Sequence, residues 1–255
     1  MRIITLNING IRAGLKRGFA LWLQQANPTI ICLQEVKATS QQADIAIFKN
    51  QGYDVFWNAA QRPGYSGTAV FAKKNVLKAI PSHEEDTQGR CQILEAEDFL
   101  LINVYVPAGA SPNADLQAKI LFYNRLISTV KHWQNKGKAL IIAGDLNVAR
   151  MPIDAPNIPG VEHMIGFLPI ERQWLEALLD CGLADSFRMI NKQPYQYSWL
   201  GYQNYSAANG WRLDYILIPE QWQQKLQRAI ILKQAVFSDH RPVLIELNLS
   251  TQQAG

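Results

Sequence analysis

The chain predicts an α/β fold in which two mixed β-sheets pack face to face with helices outside. Three observations point there. Apolar runs recur at strand length, helical patterns fall between some of them, and several strands follow one another with no helix between. The last feature argues against a purely parallel, doubly wound sheet.

In chain order, the strand-length runs are Arg2 to Leu6, Thr29 to Leu33, Thr68 to Ala72, Phe99 to Val106, Ala139 to Ala143, Leu213 to Ile218 and Pro242 to Leu247. Val76 to Ile80 and Gln92 to Glu95 add two strands between Ala72 and Phe99 with no helix intervening. A helix is expected over Gly18 to Ala26. Leu116, Ile120, Tyr123, Ile127 and Val130 step by four, three, four and three, the spacing of one helix face. Trp174, Leu175, Leu178 and Leu179 share another face, and Pro169 suits the start of that helix. Met151 to Gly166 is the longest loop candidate, and a long loop in a compact domain is usually functional. No repeat or linker interrupts the chain. Residues 1–250 read as a single domain and 251–255 as a tail.

With 255 residues, 48% hydrophobic and 18% charged, the chain can bury a sizeable core, which excludes disorder and collagen-like repeats. The net charge of +4 permits a polyanionic partner without proving one. Cys32, Cys91 and Cys181 are odd in number and far apart, so a zinc knuckle or disulfide scaffold is not expected. Cys32, amid Ile30, Ile31 and Leu33, reads as a buried reduced thiol. The start of the chain turns polar too soon for a signal peptide, and no apolar run is as long as a membrane span. The expectation is a cytoplasmic monomer with no membrane partner.

The informative pattern lies where strands end. Ile3 to Leu6 runs into Asn7-Ile8-Asn9, Ile30 to Leu33 into Gln34-Glu35, and Leu140 to Ala143 into Gly144-Asp145-Leu146-Asn147. Tyr105 precedes Pro107, Ser238-Asp239-His240 precedes the last strand, and Asp214 sits inside an apolar run where a carboxylate needs a partner. Singly, an acid after a strand is more often a loop residue or helix cap, and His240 alone is as readily structural. The joint pattern is much harder to reach by chance. If the strand ends meet, Asn7, Glu35, Asp145, Asn147, Asp214, Asp239 and His240 share one pocket. Clustered carboxylates repel unless a cation neutralises them, and oxygen ligands suit Mg²⁺ or Mn²⁺ better than zinc. Such a pocket fits phosphoryl chemistry.

The segments Asn7 to Arg12, Leu33 to Lys37, Gly64 to Gly67, Tyr105 to Pro107, Gly144 to Asn147, Gly166 to Pro169 with Glu171-Arg172, Trp211 to Tyr215 and Ser238 to His240 appear in order. Together they resemble the exonuclease III family of apurinic/apyrimidinic endonucleases, over nearly the whole chain. The Asp-Leu-Asn and Ser-Asp-His elements belong to the wider endonuclease/exonuclease/phosphatase superfamily, whereas the Glu35, Tyr65 and Trp211 segments follow its DNA-repair branch. The resemblance implies a four-layered α/β sandwich and Mg²⁺-dependent hydrolysis of the DNA backbone 5′ to abasic sites. Activity as a 3′-phosphatase, 3′-phosphodiesterase and 3′→5′ exonuclease is implied beside it. The partner implied is double-stranded DNA with abasic or 3′-blocked sites.

By resemblance, Glu35 is the principal Mg²⁺ ligand, with Asn9 and Asp239 near the ion and Asp145 and Asn147 beside it. Asp145 would activate or position the attacking water, with Tyr105 the rival base. Asn7 and Asn147 would hold the phosphate or orient Asp145. His240 would bind the phosphoryl oxygen while Asp214 fixes its ring, an arrangement that sets the tautomer and raises basicity. Trp199, Trp211 and Leu213 would wall a pocket for the bare sugar. Arg12, Lys16, Arg17, Tyr65, Arg90 and Lys119 would contact the DNA backbone; singly, each is more often a solvated side chain. Two segments depart from the family pattern, Ala108-Gly109-Ala110 and His163-Met164-Ile165, and both border the implied DNA site. The rivals are a lipid or inositol phosphoesterase of the same superfamily and a non-enzymatic nucleic-acid-binding member.

Overall fold

The computed structural model describes residues 1–80, 86–111, 114–201 and 210–249; the expected tail lies outside them. The elements run β1 (Arg2–Asn7), α1 (Ile11–Lys16), α2 (Phe19–Ala26), β2 (Ile30–Gln34), α3 (Ala46–Asn50), β3 (Tyr53–Asn58), β4 (Thr68–Lys73) and β5 (Lys78–Ala79). After these come β6 (Cys91–Glu95), β7 (Leu100–Tyr105), β8 (Ala110–Ser111), β9 (Ala114–Asp115), α4 (Leu116–Asn135) and β10 (Leu140–Asp145). The chain continues through α5 (Pro169–Leu179), β11 (Leu183–Asp185), α6 (Ser186–Ile190), β12 (Asp214–Pro219), β13 (Leu226–Ile231) and β14 (Val243–Leu247).

Two six-stranded sheets form, in the orders β13-β14-β1-β2-β4-β3 and β11-β12-β10-β7-β6-β5. Both are mixed: β1 runs parallel to β2 and β7 parallel to β10, while their other neighbours are antiparallel. Side chains alternate across each strand. Ile3, Ile30, Val70, Leu101, Ile141 and Ile216 fill the space between the sheets. Their neighbours Ile4 and Ile31 turn outward, beneath Phe19, Leu23 and Phe48. Ile142 likewise turns out, beneath Tyr123, Leu126, Val130 and Leu175. Strands covered on both faces carry unbroken apolar runs, which is why those runs stood out in the sequence. Each fully buried Ile or Leu contributes roughly 1.5–3 kcal/mol relative to exposure. Cys32 lies in the inter-sheet core as a free thiol, as expected.

The α4 stripe differs from expectation. The buried positions are Lys119, Tyr123, Leu126 and Val130, one residue out of phase at Lys119 and Leu126. A cation takes a core position because Glu171 meets it there. Asp115 caps the helix, its Oδ1 accepting the Ala118 amide at 2.8 Å; a cap of this kind is worth about 1 kcal/mol. Met151 to Gly166 contains only two short 3-10 turns. Among the described residues no helix is long and apolar enough to cross a membrane.

Candidate active site

Strand register builds the site. Asn7 ends β1 opposite Gln34, Asp145 ends β10 opposite Tyr105, and Asp214 opens β12 on the other side of Asp145. Both sheets therefore deliver polar side chains to one shared edge. Behind that edge Gln34 reaches across the sheets, its Nε2 donating to Asn103 Oδ1 at 2.8 Å. At Gly144 a Cβ would lie 2.0 Å from the Val104 carbonyl oxygen, so only glycine lets β10 approach β7 this closely just before Asp145. Asn9, Glu35, Lys37 and Asn147 all take left-handed backbone conformations, with φ between 46° and 53°. Such residues cost of order 1–3 kcal/mol each and persist where their surroundings over-determine them.

Asp145 is held from two sides. Its Oδ2 accepts Asn7 Nδ2 at 2.9 Å and its Oδ1 accepts the Asn147 amide at 2.9 Å. Asn7 Nδ2 also donates to Glu35 Oε1 at 2.7 Å, which joins the two acids across the sheets. His240 Nδ1 lies 2.8 Å from Asp214 Oδ2, and its Nε2 points toward Asp145 Oδ2 at 3.9 Å. Asp214 is itself fixed through Ser198, whose Oγ accepts the Leu213 and Asp214 amides. Burial pushes Asp145 up, to about 7, reinforced by Asp214 and opposed by His240. Burial works against charge on His240, but Asp214 outweighs it and raises the imidazole to about 10. Tyr105 is raised well above the usual phenol by burial and by Glu35 and Asp145, so it stays a phenol, a donor.

The oxygen donors fit a hard cation. Lys37 Nζ sits 2.7 Å from Glu35 Oε2 and 2.5 Å from Asn9 Oδ1, so an ammonium lies where two of the expected oxygen ligands converge. Asn9 Nδ2 donates to Asp239 Oδ1 at 2.9 Å, which brings the third expected ligand alongside. Burial opposes the Glu35 charge, but Lys37 and Asn7 outweigh it and hold the carboxyl low. Asp239 is likewise held low despite burial, by His240, Trp199 and Asn9. Asp145, Asp214 and His240 form a second group whose ligand atoms lie within 4.8 Å of one another. Asn147 orients Asp145 through its backbone amide, one of the roles expected of it, while its side-chain Nδ2 donates to the Val106 carbonyl at 2.8 Å. Replacing Glu35 with Ala is expected to weaken divalent-cation binding at least ~10-fold, checked by calorimetric titration with Mg²⁺ and with Mn²⁺.

Trp199, Trp211 and Leu213 meet with Ala149, Ala155 and Phe167 in one apolar cluster. Trp199 and Trp211 are tied by reciprocal backbone bonds of 2.8 Å, and Trp199 Nε1 donates to Asp239 Oδ2 at 2.9 Å. The apolar wall thus touches the acid cluster directly. Arg12, Lys16 and Arg17 are exposed on and beside α1, and Tyr65 is half-buried. Two expected backbone contacts are corrected. Lys119 is fully buried and bonded to Glu171 Oε1, with no surface to offer a phosphate. Arg90 is only 4% exposed; its guanidinium lies over the Tyr105 ring and donates to Tyr105 O and Tyr65 OH. It braces two aromatic rings, because a buried guanidinium must satisfy its donors internally. Sequence reasoning assigned no role to Lys37, Phe167 or Ser198, although Lys37 and Phe167 lie inside quoted motifs.

Residues 4–240 match the Endonuclease/Exonuclease/phosphatase family. An exodeoxyribonuclease of Bacillus subtilis is 34% identical over 98% of this chain and 100% of its own length. The DNA repair nuclease APEX1 of Danio rerio is 33% identical over 97% of this chain and 82% of its own. The solved structure of the 3′ phosphatase NExo from Neisseria, bound to product DNA hairpin, superposes with a TM-score of 0.85 at 26% identity, over 98% of this chain and 100% of that one. With its two six-stranded sheets delivering the acids to one edge, the chain belongs to the endonuclease/exonuclease/phosphatase family and to its exonuclease III and AP endonuclease branch, the DNA-repair hydrolases.

Proposed function

We propose that this chain cuts the DNA backbone 5′ to abasic sites with Mg²⁺, and also removes 3′-terminal phosphate groups. The observation that supports this most is the placement of Asp145. It is buried, bonded by Asn7 and Asn147, and 3.9 Å from a histidine that Asp214 holds by its other nitrogen. A carboxylate with a pKa near the working pH is suited to take a proton from water. Tyr105, kept protonated, donates to the phosphate or the leaving oxygen, so of the two candidate bases Asp145 is favoured. His240 carries its proton at neutral pH and donates to the phosphoryl oxygen as charge develops there. Glu35, Asn9 and Asp239 would hold the ion, with Mn²⁺ an alternative occupant. A bound divalent ion polarises a phosphoryl oxygen and shares the added negative charge.

Trp199, Trp211, Leu213 and Phe167 form an apolar cluster beside the acids, against which a base-free sugar would pack. A nucleotide without its base turns out of the duplex at low cost. Arg12, Lys16 and Arg17 lie exposed to meet the phosphates. The test is incision of a duplex carrying one abasic site, with Mg²⁺ and with EDTA, beside a 3′-phosphate duplex and a soluble inositol phosphate. Metal-dependent cutting 5′ to the lesion is expected. Turnover of the inositol phosphate alone would overturn the assignment.

A further inference from the structure

Lys119 and Glu171 form an ion pair with no exposed side-chain surface, outside the cluster of acids. Replacing such pairs with apolar residues is often neutral or stabilising, so stability alone is a weak reason for one. Its bonds suggest geometry instead. Lys119 Nζ donates to Glu171 Oε1 at 2.5 Å, to the Asn147 carbonyl at 2.5 Å and to the Ala108 carbonyl at 3.3 Å. The other Glu171 oxygen accepts the amides of Gly166 at 2.7 Å and Leu168 at 3.0 Å. The pair therefore joins α4 and α5 to three loops, each bordering the site.

Two of those loops carry parts of the proposed machinery. Asn147 is left-handed, its amide directed at Asp145 and its side chain at Val106, which leaves its carbonyl aimed inward at the ammonium. Without a cation there, that inward carbonyl loses its short bond, and a peptide in a strained conformation is free to rotate. On the other side, Gly166 to Leu168 frames Phe167, which packs with Trp211 and Leu213. The Gly166 carbonyl also accepts the Ala149 amide at 2.7 Å, two residues beyond Asn147. The Phe167–Trp211–Leu213 cluster and the Asp145–Asn147 turn are thus set against each other by one buried ion pair.

We propose that Lys119 and Glu171 are a positioning pair that fixes Asn147 and Phe167 in register, aligning the phosphate side of the site with the sugar side. This rests on the function proposed above. It predicts a loss of turnover rather than of DNA affinity, since a misplacement of about 1 Å at a reacting centre can cost ~10²-fold in rate.

The test compares wild type, Lys119→Met and the double variant Lys119→Met/Glu171→Gln on an abasic duplex, well below each melting temperature. The double variant keeps an acceptor for Gly166 and Leu168 while removing both charges, which guards against misfolding. The kcat of each variant is expected to fall about 10- to 100-fold. The dissociation constant for DNA should stay within about 3-fold, and the slope of log affinity against log salt should not change. A direct phosphate contact would instead lower that slope by about 1. Unchanged kcat in a folded variant, or a reduced salt slope, overturns the positioning role. Failure of wild type to cut the duplex overturns the functional reading, and the pair's role with it.

Discussion

Replacing Asp145 with Asn is expected to cut turnover on an abasic duplex by about 10²- to 10⁴-fold, the range general acid–base groups supply. The DNA dissociation constant should stay within about 3-fold. The substitution keeps shape but removes charge and one acceptor. Asp145 uses both oxygens, one for Asn7 Nδ2 and one for the Asn147 amide. An amide has only one oxygen, so one of those donors would face an N–H. Asn7 cannot turn over to compensate, because its Nδ2 also serves Glu35 and its Oδ1 accepts the Asn9 amide. The variant therefore loses the proposed base and disturbs both neighbours, while the exposed cations of α1 are untouched. Single-turnover incision alongside equilibrium binding separates these effects. Near-wild-type incision would remove Asp145 from the proposed role.

The site was legible in the sequence because strand-end chemistry is local. An apolar run followed by Asn7, Glu35 or Asp145 can be read without knowing which strands pair. In fact β1 and β10 extend through Asn7 and Asp145, so these side chains ride on strand ends rather than on free loops. What the pattern could not show is which cation meets which anion across the fold. Lys119 and Arg90 look like solvated basic residues in sequence, and both are buried with specific partners. Their burial depends on Glu171, 52 residues away, and on Tyr65 and Tyr105. The strands β3 and β13 also escaped the sequence reading. β3 carries half-buried residues over most of its length and β13 mixes exposed with buried ones, and edge strands give a weaker apolar signal than the doubly covered centre.

Replacing Asp154 with Asn is expected to destabilise the fold by about 3–5 kcal/mol, the cost of breaking a buried ion pair from one side. For a chain of this size that lowers the melting temperature by roughly 10 °C. Asp154 is fully buried between two guanidiniums. Its Oδ1 accepts Arg188 Nε at 2.8 Å and Arg212 Nε at 2.7 Å, and its Oδ2 accepts Arg212 Nη2 at 3.0 Å. Asp185 balances the second arginine, accepting Arg212 Nη2 at 2.6 Å. Removing one carboxylate charge leaves two buried arginines sharing one acid. The fault would not stay local, because the Arg212 amide donates to the Asp154 carbonyl at 2.8 Å between Trp211 and Leu213, two members of the apolar cluster beside the acids. The same network gives stability a pH dependence of known sign. Burial works against the Asp154 charge, but Arg212 and Arg188 outweigh it and hold the carboxyl below its ordinary range. A depressed folded-state value means the contribution is full above the unfolded value of about 3.9 and is lost as pH falls through the folded one. Thermal melts from pH 7 down to 2 should show wild type losing stability below about pH 4, with a shallower fall in the variant because this titrating group is gone. A variant that melts within about 2 °C of wild type at pH 7 would show that the arginines find other partners, and the network would then hold neither the loop nor the apolar cluster in place.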